Sequence, residues 1–217
     1  MTTDHIFRLT EQHTEHEQLL LLTGLSIAWL EPQSPAAATL ILRYRERGFE
    51  FSALRETALQ LFLLAGFQTS LEAAFQIETI YGHGLEHADV AENNLNLEQL
   101  ALRGQELQAA VYRGNIEKLR ANLAQVSPQL ASWTVWIGYG LVMSRPGLPP
   151  PWRELFEVAV LAVQGFPRQL HSHLRGALNL GASAHEIDLV LEAVREASLN
   201  SRHREALHMW RRIRPQS

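Results

Sequence analysis

The 217-residue chain contains no cysteine. That excludes disulfide frameworks, thiolate zinc sites, thiol nucleophiles and dithiol redox chemistry. Lysine is almost missing too: Lys118 stands alone, so only one residue is available for Schiff-base chemistry. A formal net charge of −4 gives no electrostatic reason to expect nucleic acid as a partner. The longest apolar runs, such as LLLLTGLSIAWL, fall short of the roughly 20 residues of a membrane span. The opening MTTDHIFRLTEQ lacks the basic stretch and apolar centre of a signal peptide. A cytoplasmic protein without membrane contact is therefore expected. Glycine-rich phosphate loops and G-x-S-x-G elbows are also missing.

What is present reads as helix. SALRETALQLFLLAGF suggests a helix capped by Ser52 and stopped at Gly66, and SLEAAFQIETIYG one capped by Ser70 and stopped at Gly82. SAHEIDLVLEAVREA carries a capping box, Ser183 with Glu186. LFEVAVLAV is apolar on every side, the mark of a helix buried in a bundle. Alternating strand-like stretches are scarce, so the expected fold class is all-α.

The polar stretch HGLEHADVAENNLN is the candidate linker, and it divides the chain into residues 1–90 and 91–217. The halves look alike when slid by 133 residues, which places Gly48 on Gly181 and Leu54 on Ile187. Duplication of a small helical unit is the better reading of that similarity.

Histidine supplies most of the candidate chemistry. HGLEH (His83, Glu86, His87) matches a zinc-peptidase pattern, but Gly82 and Gly84 break the helix such a site needs. His13 and His16 read as an exposed pair and are not expected to bind metal. In FPRQLHSHLRGALNLG, His171 and Arg175 share a helical face, while His173 points the other way. The spacing therefore does not favour the two imidazoles as a metal pair.

The region SRPGLPPPWRELFEVAVLAVQGFPRQLHSHLRGALNLGASAHEIDLVLEAV resembles the core of the carboxymuconolactone decarboxylase family, within the AhpD-like superfamily. The SRPGL turn, REL opening an apolar helix, H-x-R-x-A-L-x-x-G and a capped E-I-x-x-V-L follow in the family's order and spacing. Residues 91–217 are the better-matching copy, and residues 1–90 resemble a degenerate first one. The resemblance implies an AhpD-like helical bundle of two repeats. It also implies a homo-oligomer, with a trimer of double repeats reaching the ring of three pairs that such units commonly form.

The superfamily's peroxidatic site maps onto Glu154, Phe166, Gln169 and His173. Both thiols are missing, so alkylhydroperoxidase activity is not expected. The decarboxylase branch needs neither cysteine nor cofactor. Its likeness implies a carbon–carbon lyase acting on a small carboxylated lactone or related anionic metabolite. His173 would be its acid/base and Glu154 the partner tuning it, with Arg175, Arg145 and His171 for substrate binding. Two departures favour an alternative, a non-catalytic or ligand-binding oligomeric relative. Leu141 stands where the branch carries an acidic residue, and EASLNSRHREA replaces its closing corner. The first half has Leu21 and Leu40 where Glu154 and His173 would sit, so neither half holds a complete pocket alone.

Overall fold

The computed structural model describes residues 3–31, 33–82, 95–197 and 200–215, and all regular structure among them is helical. The fold is all-α. The first half runs α1 (Thr3–Gln12), a short 3₁₀ turn (Thr14–His16), α2 (Glu17–Ala28), α3 (Ala36–Glu46), α4 (Phe51–Ala65) and α5 (Phe67–Tyr81). The second adds α6 (Leu97–Tyr112), α7 (Ile116–Val126), α8 (Pro128–Trp133) and a π-helix (Thr134–Met143). It closes with α9 (Pro150–Gln164), α10 (Pro167–Leu180), α11 (Ala184–Ala193) and α12 (Asn200–Ile213).

The two helices with the longest unbroken buried runs, α2 and α9, form the centre. Every residue of α2 but Gln18 is buried, and so is each residue of α9 from Arg153 to Ala162. The two helices pack on each other. The LLLLTGLSIAWL run is thus covered within the chain, with no apolar face left for another subunit. No described helix is long and apolar enough to cross a membrane.

Helix starts follow a common offset. α2, α4 and α5 begin at Glu17, Phe51 and Phe67, and α9, α11 and α12 begin 133 residues later, at Pro150, Ala184 and Asn200. Packing is exchanged between the halves as well: α4 lies on α9, and α11 lies on α2.

Ser183 and Glu186 form the expected capping box, and Gly66 and Gly82 end α4 and α5 at positive φ. Ser52 is not a cap, since α4 starts one residue earlier with Glu50 before it. Ser70 lies inside α5, where its hydroxyl donates to the Ala58 carbonyl at 2.8 Å and fastens α5 to α4. Asn96 and Gln99 make a second capping box, at the start of α6. HGLEH lies outside the described residues.

One crossing matters for the site. Gly104 on α6 and Gly140 on the π-helix meet backbone to backbone: a Cβ on either would strike the carbonyl oxygen of Val135 or Leu100. This close approach brings Tyr112, at the end of α6, beside Tyr139.

Candidate active site

α9 is buried along its length yet carries two carboxylates, Glu154 and Glu157, three residues apart and therefore on one face. α10 packs on α9 and aims His173 at that face. His173 Nδ1 lies 2.9 Å from Glu154 Oε2, and its Nε2 lies 3.9 Å from Glu157 Oε2. From the first half, α4 contributes Gln60. Its amide donates to Glu157 Oε1 at 3.3 Å and to the Arg153 carbonyl at 2.8 Å. Residues from both halves therefore meet in one cluster. At its edge the Tyr139 hydroxyl donates to that of Tyr112 at 2.9 Å.

A backbone detail makes room for this. Glu154 is held so tightly over α10 that a Cβ on Gly176 would collide with its carboxylate. Glu154 is the fifth residue of α9, beyond the first turn, so the helix dipole does not account for its place there. Its Oε1 and the Oε1 of Gln60 are buried acceptors with no hydrogen-bond partner among the described residues. Buried acceptors of that kind are rare in folded proteins.

Electrostatics set the protonation states. Burial alone would push the His173 imidazolium down. The charges of Glu154 and Glu157, with the Glu154 hydrogen bond, outweigh it and raise the pKa to about 9. Glu157 is raised to about 7 by burial and by Glu154, against the pull of His173 and Gln60. Near neutral pH the cluster therefore holds an imidazolium, whose Nδ1–H donates to Glu154, and a carboxyl near its midpoint. Burial also pushes Tyr112 up to about 12 and Tyr139 well above the ordinary phenol, so both stay neutral donors.

The other residues singled out from sequence lie elsewhere. Arg145 makes a bidentate pair with Glu56, Nε to Oε2 at 2.9 Å and Nη2 to Oε1 at 3.0 Å. Arg175 and His171 are exposed on the outer face of α10. Partial burial and the charges of Arg175 and Arg212 lower the His171 pKa. Phe166 and Gln169, at the positions of the missing thiols, face solvent. Glu157, Gln60, Tyr112, Tyr139 and Gly176 were not anticipated. A second carboxylate in an otherwise apolar run was a readable signal for Glu157; the partners of Gln60 and the tyrosines depend on helix packing.

The matching place in the first half is filled with hydrocarbon. The 133-residue offset sets Leu21, Gly24, Leu40 and Ile6 against Glu154, Glu157, His173 and Tyr139. Leu21, Leu40 and Ile6 are fully buried, and a Cβ on Gly24 would lie 3.2 Å from both Ile6 and Leu40.

The sequence profile of the carboxymuconolactone decarboxylase family matches residues 128–212. The chain is also 31% identical over 117 residues to the 4-carboxymuconolactone decarboxylase of Acinetobacter baylyi, an overlap of 53% of this chain and 87% of that protein. The chain belongs to the carboxymuconolactone decarboxylase family. The family match encloses Tyr139, Glu154, Glu157, His173 and Gly176. Gln60 and Glu56 lie outside it, on α4, so this member of the carboxymuconolactone decarboxylase family completes its cluster with residues beyond the matched segment.

Proposed function

We propose that the protein is a cofactor-free carbon–carbon lyase acting on a small carboxylated lactone, with His173 as proton donor. The observation that carries this reading is the Glu154–His173–Glu157 array, two buried carboxylates on a partly exposed imidazole, with its hydrogen bond of 2.9 Å and its raised imidazole pKa. Breaking the bond to the carboxylate releases carbon dioxide and leaves the electron pair in the unsaturated lactone, where one proton must be added to carbon. Glu154 holds Nδ1–H, so Nε2–H is the face free to donate. Glu157, near its midpoint at neutral pH, is placed to restore that proton. Tyr112 accepts from Tyr139 and keeps its own O–H to donate to the substrate carboxylate. In this reading a neutral phenol takes the anchoring role that the family resemblance implied for arginine.

A second reading is a ligand-binding relative without turnover. It is favoured by Arg145, which is committed to Glu56, and by Leu141 in place of the family's acid. Following carboxymuconolactone consumption and carbon dioxide release separates the two. Turnover by the wild type, reduced about 10²–10⁴-fold in His173→Ala, supports the lyase. Equal rates in both proteins remove His173 from the mechanism, and saturable binding without carbon dioxide release supports the second reading.

The helix offset and the exchanged packing also support duplication, with residues 1–90 as a degenerate repeat and 91–217 as the functional one. In that arrangement the first repeat supplies the wall of a single site. A stripe of exposed apolar residues on α5, Phe67, Leu71 and Phe75, supports assembly into a homotrimer.

A further inference from the structure

A second cluster of chemistry-bearing side chains lies outside the site described above. His13 and the 3₁₀ turn that follows it, which carries Glu15 and His16, lie between α1 and α2, and the first turn of α11 carries His185. The fold brings these two segments together from opposite halves of the chain. The rings of His13 and His185 stand 5.5 Å apart, and those of His16 and His185 stand 5.2 Å apart. One donor atom each from His13, Glu15 and His185 lies within 4.8 Å of the other two. His16 Nε2 is 3.8 Å from Glu15 Oε1, so a fourth side chain, an imidazole, borders these three.

We propose that His13, Glu15 and His185, with His16 as fourth ligand, form a surface site for one divalent transition ion of the zinc type. Three imidazoles and a carboxylate are a borderline-soft donor set suited to zinc, with no thiolate required. Bonds of about 2.0–2.1 Å in a tetrahedron place ligand atoms roughly 3.3 Å apart, so the present spacing closes with a shift on the order of 1 Å. Glu15 and His185 are exposed and His13 is half-buried, which leaves the side chains free to make that shift. Read along the chain, His13 and His16 are only an exposed pair. The third imidazole is visible only after folding, because it comes from α11. An ion held there would tie the α1–α2 turn to the second half, and binding to the folded chain alone would raise its stability.

The test uses the full, untagged chain stripped with a chelator and titrated with Zn²⁺ against a chromogenic competitor. The expected result is one ion per chain, bound tighter than about 100 μM, that is weakened at least tenfold in His185→Ala and in His13→Ala. His208→Ala removes an exposed imidazole on α12 and leaves binding unchanged. Zn²⁺ should raise the thermal midpoint of the wild type and not that of His185→Ala. Binding weaker than about 100 μM overturns the proposal. So does binding that persists in His185→Ala, or that is lost instead in His87→Ala, which would place the ion in the HGLEH segment.

Discussion

Glu56 on α4 and Arg153 on α9 are joined by a hydrogen-bonded ion pair of 2.9 Å between side chains that are 0% and 1% exposed. Arg145 closes on the same carboxylate, so one acid from the first half holds two guanidiniums of the second. Arg153 also donates to the carbonyls of Arg145 and Pro146, which fixes the turn leading into α9. The pair lies four residues along α4 from Gln60 and beside Glu154, so it sets how α4 meets the Glu154–Glu157 face of α9. Removing one partner leaves buried charge without compensation. Glu56→Ala is expected to cost about 3–5 kcal/mol in urea denaturation. A loss below about 1 kcal/mol would show that the pair does not hold the halves together.

The raised pKa values make stability fall as the solution becomes alkaline. His173 binds its proton more tightly in the folded chain, at about 9 against 6.5. Its contribution is complete below pH 6.5 and is lost as pH rises through 9. Glu157 is raised from 4.5 to about 7, so the folded form also loses its advantage over that lower window. The folded state binds more protons throughout, and stability should decline from pH 5 to 9 by something on the order of 5 kcal/mol from these groups together. Denaturation midpoints of wild type and His173→Gln across that range provide the check. Parallel curves would contradict the assignment.

Gly176 is expected to be intolerant of even one methyl group. Gly176→Ala drives a Cβ into the Glu154 carboxylate and onto Val111, with an expected loss of about 1–3 kcal/mol and most of the activity. Gly114→Ala, where nothing lies within 4 Å of the new Cβ, should be silent in both assays. Equal behaviour of the two variants would show that the Glu154 placement does not depend on the gap.

Gln60 pulls the Glu157 pKa down through its hydrogen bond, so its loss should act in the opposite direction. Gln60→Leu is expected to move the titration of Glu157 upward and to lower kcat about tenfold. The readout is the pH profile of carboxymuconolactone turnover. A rate loss without a shift would make Gln60 a packing residue alone.

Leu40 should matter for folding and not for chemistry. Leu40→Ala opens a hole beside Gly24 and Ile6, at an expected cost of about 2–5 kcal/mol, while kcat stays within about threefold. A larger fall in kcat at temperatures where the variant is fully folded would mean that the first half retains a working pocket.

Light scattering should report a particle of three chains, and Phe75→Glu should shift it towards one. A wild-type mass equal to the 24.5 kDa chain would remove the trimer.

The all-α class was legible because apolar periodicity and capping residues are local properties. Ser183 with Glu186, Gly66 and the largely apolar LFEVAVLAV run of α9 can each be read from a few neighbouring residues. The choice of His173 over His171 followed from helical geometry and family likeness together, and the structure places His173 against Glu154 with His171 in solvent. The partner of Arg145 was not legible. Arg145 and Glu56 are 89 residues apart, and only the packing of α4 against the π-helix and α9 pairs them. Gln60 beside Glu157, Tyr112 beside Tyr139, and His185 beside His13 likewise join segments whose separation carries no periodic signal. Sequence determined which helices would be buried, since that depends on each helix's own apolar surface. Tertiary structure decided which polar groups share a space, because burial forces distant donors and acceptors to find one another only once the helices have packed.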